Sequence, residues 1–280
     1  MAPYPCRRLI CALACAVVLL LLSPLALRAQ DDPPISPPAT PAAKQFDSSL
    51  ESSSASPHSR DVSLNLLPRN FLRDQQNMWF FPSQLAHRRY WSPTVIVASA
   101  TVALLSADTY AAPYFNHTKV FSDFNNAFGS NVTGAETIAI PAALYAIGLQ
   151  RRDSYMQQTA LFAGEAVADS EVLRAVLNTV TARWRPQDIY RQRNYADTFF
   201  RSASDVGSSF PSGHMIAAIS VATVIARRYR NHHWVPWVAY GLAGTIGFSR
   251  ISLRAHFPSD VFLGTVLGYA IARYDVLQNQ

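Results

Sequence analysis

Apolar residues along this chain fall into blocks of helical length, and polar residues gather in the breaks between them. From Trp91 onward six such blocks predict helices over 93–107, 135–150, 154–182, 213–229, 234–248 and 259–275. Ser92-Pro93 and Ser212-Gly213 supply helix starts, and the alanine-rich interiors suit close helix packing. No sustained period-two alternation or hairpin turn appears, so strands are not expected. The long connections, 108–134 and 183–212, hold the polar residues and are expected to meet at one end of a bundle. The pattern therefore predicts an all-α fold, a bundle of about six core helices with its site at one end.

Upstream the pattern changes three times. Arg7 and Arg8 precede an almost wholly apolar run from Leu9 to Leu27, and Leu27-Arg28-Ala29 ends it with a small residue. That layout marks residues 1–29 as an export signal, cleaved or retained as an N-terminal anchor. All three cysteines, Cys6, Cys11 and Cys15, lie there, so no disulfide or thiol chemistry is expected downstream. Residues 30–60 carry Pro33-Pro34, Pro37-Pro38 and a serine run, and read as a disordered linker. Residues 61–90 hold Leu64, Leu66, Leu67, Phe71, Leu72 and Trp79, which predict a short helical lead-in to a domain over 91–275.

Composition narrows the setting. Hydrophobic residues make up 49% of the chain and charged residues 15%, yet the mean hydropathy is only +0.05. The uninterrupted apolar cores, such as Thr94–Ser106 and Val235–Phe248, fall short of the roughly 20 residues a membrane span needs. The expectation is an exported protein, periplasmic or extracellular, soluble or membrane-associated. The formal charge of +6 falls to +3 without Arg7, Arg8 and Arg28, too mild to imply a nucleic-acid partner.

Three clusters carry chemistry: Arg183-Trp184-Arg185-Pro186, then Pro211-Ser212-Gly213-His214, then Ser249-Arg250 with His256 and Asp260 following. Each falls at a predicted helix end. The second opens an apolar helix, whose free N–H groups attract anions, and Gly213 has no side chain to keep an anion away. Arg185 and Arg250 add planar, permanently charged donors that match phosphate oxygens. His256 and Asp260 are four apart, so the carboxylate is expected to reach one ring nitrogen and leave the other free to attack. His214 is then placed to protonate a leaving oxygen. No cluster suggests a metal or other cofactor. Asn116-His117-Thr118 and Asn131-Val132-Thr133 match glycosylation acceptors.

Together these residues resemble the type 2 phosphatidic acid phosphatase and vanadium haloperoxidase superfamily. Its pattern is a Lys separated by six residues from Arg-Pro, then Pro-Ser-Gly-His, then Ser-Arg-x5-His-x3-Asp. Arg185-Pro186, Pro211 to His214, and Ser249, Arg250, His256 and Asp260 match in order and spacing, and the resemblance covers roughly 90–275. It implies that His256 forms a phosphohistidine, that Asp260 orients it, and that His214 protonates the leaving alcohol. It also implies that Arg185, Arg250, Ser212 and the Gly213 N–H hold the phosphate oxygens. The expected activity is metal-independent hydrolysis of phosphate monoesters, on a small phosphorylated molecule, a lipid phosphate or an isoprenyl pyrophosphate. A non-catalytic phosphate-binding homologue and a vanadium-dependent haloperoxidase use the same residues and remain alternatives. One position departs: the family lysine falls on Asn178. Losing that cation costs on the order of 2–3 kcal/mol in a transition state, unless Arg174 or Arg183 replaces it.

Overall fold

The computed structural model describes residues 62–79, 91–128, 130–189, 194–201 and 208–277. The expected signal at 1–29, the linker at 30–60 and the end of the lead-in lie outside them. The described helices are α1 (Leu67–Trp79), α2 (Trp91–His117), α3 (Ser122–Ala127), α4 (Ser130–Arg151), α5 (Ser154–Thr181), α6 (Gly213–Arg228), α7 (Trp234–Ser252) and α8 (Pro258–Ala270). A π-helical turn, Ile271–Val276, continues α8. No strand occurs among the described residues, as the pattern predicts.

Helix α6 is the axis of the bundle. Every residue from Met215 to Val224 is buried, and α4, α5, α7 and α8 all pack on it. Small residues let α8 come close. A Cβ on Gly264 would lie 2.9 Å from the Ser212 carbonyl oxygen, and one on Gly268 2.3 Å from that of Ile216. In the space so freed, the Ser220 hydroxyl lies 3.0 Å from the Gly268 carbonyl and 3.0 Å from Ser170 of α5. The apolar core (Phe162, Leu173, Leu177, Ile216, Val224, Leu263, Leu267, Ile271) fills the seam between α5, α6 and α8.

The lead-in contains the expected helix: α1 packs on α5 and the π-helical turn, and its Gln75 amide donates to Asp169 at 2.9 Å. The connection expected over 108–134 is corrected. Helix α2 continues through Pro113 to His117, and α3 and the first turn of α4 occupy the rest. The polar pair Asp108-Thr109 looks like a break in a one-dimensional pattern. In space, Asp108 belongs to a buried polar stripe with Thr94 and Thr101, while Val95, Ile96 and Val102 face outward. This helix is inverted, polar inside and apolar outside. At 27 residues it is also long and apolar enough to cross a membrane, which corrects the expectation drawn from the shorter core Thr94–Ser106.

Candidate active site

Four helix termini meet at one end of the bundle: the C-termini of α5 and α7 and the N-termini of α6 and α8. The segment 183–189 leaves α5 through Ala182, whose left-handed backbone (φ 40°) turns the chain sharply. The segment 208–212 returns alongside it, with the Ser209 N–H donating to the Arg183 carbonyl at 2.8 Å. Thr181 ties the two together, donating to the Phe210 carbonyl at 2.9 Å. The Ser212 N–H then donates to the Asp260 carbonyl at 3.1 Å, joining the starts of α6 and α8. The three motifs are thus stitched together by backbone hydrogen bonds.

His256 lies between α7 and α8 and is 4% exposed. Its Nδ1 is 2.7 Å from the Ser209 carbonyl oxygen. A carbonyl only accepts, so Nδ1 carries the proton and the lone pair resides on Nε2. The expectation that Asp260 performs this orienting is corrected, since its Oδ2 is 3.9 Å from Nδ1. The carboxylate instead accepts from the Phe257 N–H (2.8 Å), the Ser209 hydroxyl and Arg183 Nη1. Asp260 therefore acts one step removed, holding Ser209 and the first turn of α8 around the ring.

The ring stands among cations. Burial, above all, drives the His256 pKa down to about 3, and the charges of Arg185, His214 and Arg250 push the same way against the Ser209 hydrogen bond. At neutral pH the ring is uncharged and nucleophilic. Arg250 is fully buried, with Nε and Nη2 on the Ser249 hydroxyl (3.1 and 2.9 Å) and Nη2 on the Phe128 carbonyl (2.6 Å). Arg185 Nε and the Ser212 hydroxyl are buried with no hydrogen-bond partner among the described residues. Donors aimed at an interior without an acceptor are what an oxyanion site requires.

Two residues differ from expectation. Arg183 is not a spare cation: it is 2% exposed and stacks on Phe257, with 3.9 Å to the ring centroid. It donates to Thr198 (3.0 Å), Ser259 (2.8 Å), Asp108 (2.7 Å) and Asp260. Gly213 leaves room for a side chain, because a Cβ there would lie 2.1 Å from Cδ of Arg174. With its amide oriented to satisfy both neighbours, Asn178 donates to the Phe210 carbonyl (2.7 Å) and accepts from Arg174 Nη1 (3.1 Å).

Sequence reasoning missed Asp108, Arg183 as a structural residue, Ser209 and Ser259. Asp108 accepts from the Ser259 N–H at 3.1 Å as well as from Arg183, and so fastens α2 to the start of α8. The signal available for it was an isolated acid within a long apolar run. Asn116, one of the two glycosylation matches, has its amide engaged by the Tyr195 hydroxyl.

Beside Arg250 the rings of Phe115, Phe121, Phe124, Phe128 and Phe248 pack edge to face, tilted or stacked, with centroids 4.7–6.3 Å apart. A small cavity at His256 is lined also by Ala112, Phe115, Pro186, Ile251, Arg254, Phe257 and Pro258.

The family model of the PAP2 superfamily matches residues 159–279. A solved structure, the crystal structure of the first transmembrane PAP2 type phosphatidylglycerolphosphate phosphatase from Bacillus subtilis, is similar over 64% of this chain and 92% of that one. The identity is 20% and the TM-score 0.44. No curated protein matches the chain.

Proposed function

From the membership of this chain in the PAP2 superfamily, carried by residues 159–279, we propose that it hydrolyses phosphate monoesters by way of a phosphohistidine. The observation that carries the reading is the His256 ring, with its Nδ1 proton on the Ser209 carbonyl and the charges of Arg185, His214 and Arg250 around it. Nε2 attacks phosphorus while the bond from phosphorus to the ester oxygen breaks. His214 gives its proton to the departing alkoxide. Arg185, Arg250, the Ser212 hydroxyl and the first N–H groups of α6 hold the three equatorial oxygens as charge spreads onto them. His214, now neutral, takes a proton from water, and the resulting nucleophile breaks the phosphorus–nitrogen bond and releases inorganic phosphate. Guanidinium groups fill the cationic role, so no metal is assigned to the reaction.

The substrate we favour is a phosphate ester of an apolar alcohol, met at a membrane surface on the exported side. The Phe115–Phe248 ring cluster beside Arg250 and the outward apolar face of α2 support this. Purified full-length protein should release phosphate from lipid or isoprenyl phosphates in detergent, undiminished by a chelator, and His256→Ala should release at least about a thousandfold less. Equal release by the variant sinks the proposal.

A further inference from the structure

The residue that packs on Gly213 has a geometry that the reaction above does not use. Arg174 rises from α5 and lays its stem across the α-carbon of Gly213, so its guanidinium begins at the first turn of α6. Next to that turn the Ser212 hydroxyl is fully buried and without a hydrogen-bond partner among the described residues. Two side chains hold the guanidinium. Asn178 takes Nη1 at 3.1 Å and is itself anchored to the Phe210 carbonyl, two residues before Ser212. Glu171 takes Nε and Nη2, both at 2.7 Å.

We propose that Arg174 is a phosphate-binding arginine parked on Glu171 while the site is empty, and that an incoming phosphate takes it from that carboxylate. The inference rests on the phosphatase reading, since it puts the anion at the start of α6. Its chemistry is an exchange of one carboxylate for one phosphate. The Arg174–Glu171 pair is 35% and 44% exposed, and pairs so open to water contribute little and part readily. A phosphate dianion has more charge and offers two oxygens to the same planar pair of N–H groups. Asn178 supplies the anchor. Its hold on Nη1 leaves the Nε–Nη2 edge to exchange one acceptor for another, and its own bond to Phe210 keeps that anchor fixed to the loop that enters the site. A side chain with both amide donor and amide acceptor is required for this, which gives Asn178 a purpose of its own.

Calorimetric titration of the full-length protein with inorganic phosphate tests the exchange without relying on turnover. Arg174→Gln should weaken binding by about tenfold or more, as expected for loss of a charged hydrogen-bonding pair. Glu171→Gln should tighten it by about threefold, because the competitor is gone. The double variant should match Arg174→Gln alone, since Glu171 acts only through Arg174. Binding within twofold of wild type in Arg174→Gln overturns the proposal, as does a Glu171→Gln protein that binds no tighter. Arg174→Lys keeps a charge and should fall between wild type and Arg174→Gln, which separates lost binding from lost folding. Arg185→Gln serves as the control for the underlying reading. If it loses phosphate and Arg174→Gln does not, only the clamp fails; if wild type binds none, both fall.

Discussion

At the scale of single residues, the site is set by what each polar atom has as a neighbour. His256 is held neutral by burial first and by neighbouring cations second, so its pKa drops from 6.5 to about 3. The unfolded chain takes up a proton near pH 6.5 that the folded ring refuses until about pH 3. In that window the unfolded state binds more protons, so stability falls as the pH is lowered through it. Asp260 works in the opposite sense: burial and the Asp108 charge raise its pKa despite Arg183, so the folded carboxyl gains its proton first on acidification. Comparing wild type with His256→Gln by denaturant unfolding at several pH values isolates the histidine. Wild type should lose stability on acidification from neutral more steeply than the variant, and equal slopes would contradict the depressed pKa. The motif residues themselves were legible because side-chain identity and spacing carry them, and the charges of Arg185, His214 and Arg250 all act on the His256 ring. The orienting acceptor was not. A backbone carbonyl at Ser209 has no residue-type signature, and the four-residue spacing from His256 to Asp260 suggested a contact that Phe257, Ser209 and Arg183 claim instead.

At the scale of elements, the arrangement depends on a buried charge cluster that crosses three parts of the chain. Arg183 from the loop after α5 bridges Asp108 of α2 and Asp260 of α8, and Ser259 closes the ring between them. Removing the arginine strands two buried carboxylates, and breaking one side of such a pair costs about 3–5 kcal/mol. Arg183→Met should therefore lower the unfolding free energy by about that amount. Asp108→Asn, which keeps hydrogen-bonding capacity, should lower it less. Both should be inactive or nearly so, since the first turn of α8 carries Asp260 and abuts His256. A stability loss below about 1 kcal/mol for Arg183→Met would show that the cluster is not what docks α2. This layer was hidden in the sequence for a physical reason. Helix periodicity signals a core face when apolar residues point inward, and α2 reverses that rule. Asp108 therefore read as the end of a helix that continues for nine more residues, to His117.

At the scale of the whole molecule, that reversal bears on where the protein works. A helix turns its polar stripe inward only when the interior offers partners and the surroundings do not penalise the apolar side. Thr94, Thr101 and Asp108 are at most 1% exposed on α2, whereas Ile96 is 67% exposed. Two further helices also expose large apolar residues: Ile138 and Leu149 on α4, and Trp234, Trp237 and Leu242 on α7. Isolated exposed apolar residues are ordinary, but a 27-residue helix with its polar stripe buried and its apolar residues outward is suited to lipid. Tryptophans at the start of α7 follow Arg227, Arg228 and Arg230 within a few residues in sequence, a combination favoured where hydrocarbon meets charged headgroups. Replacing Ile96 and Val102 together by glutamate leaves the site residues untouched, because both side chains point away from the core. The double variant should lose most of its co-flotation with phospholipid vesicles yet retain turnover of a short, soluble phosphate ester within about twofold. Turnover of a long-chain phosphate presented in those vesicles should fall with the flotation. If the variant floats as well as wild type, the outward face of α2 is not a lipid contact. The aromatic rim beside Arg250 would then have to draw its apolar substrate from solution.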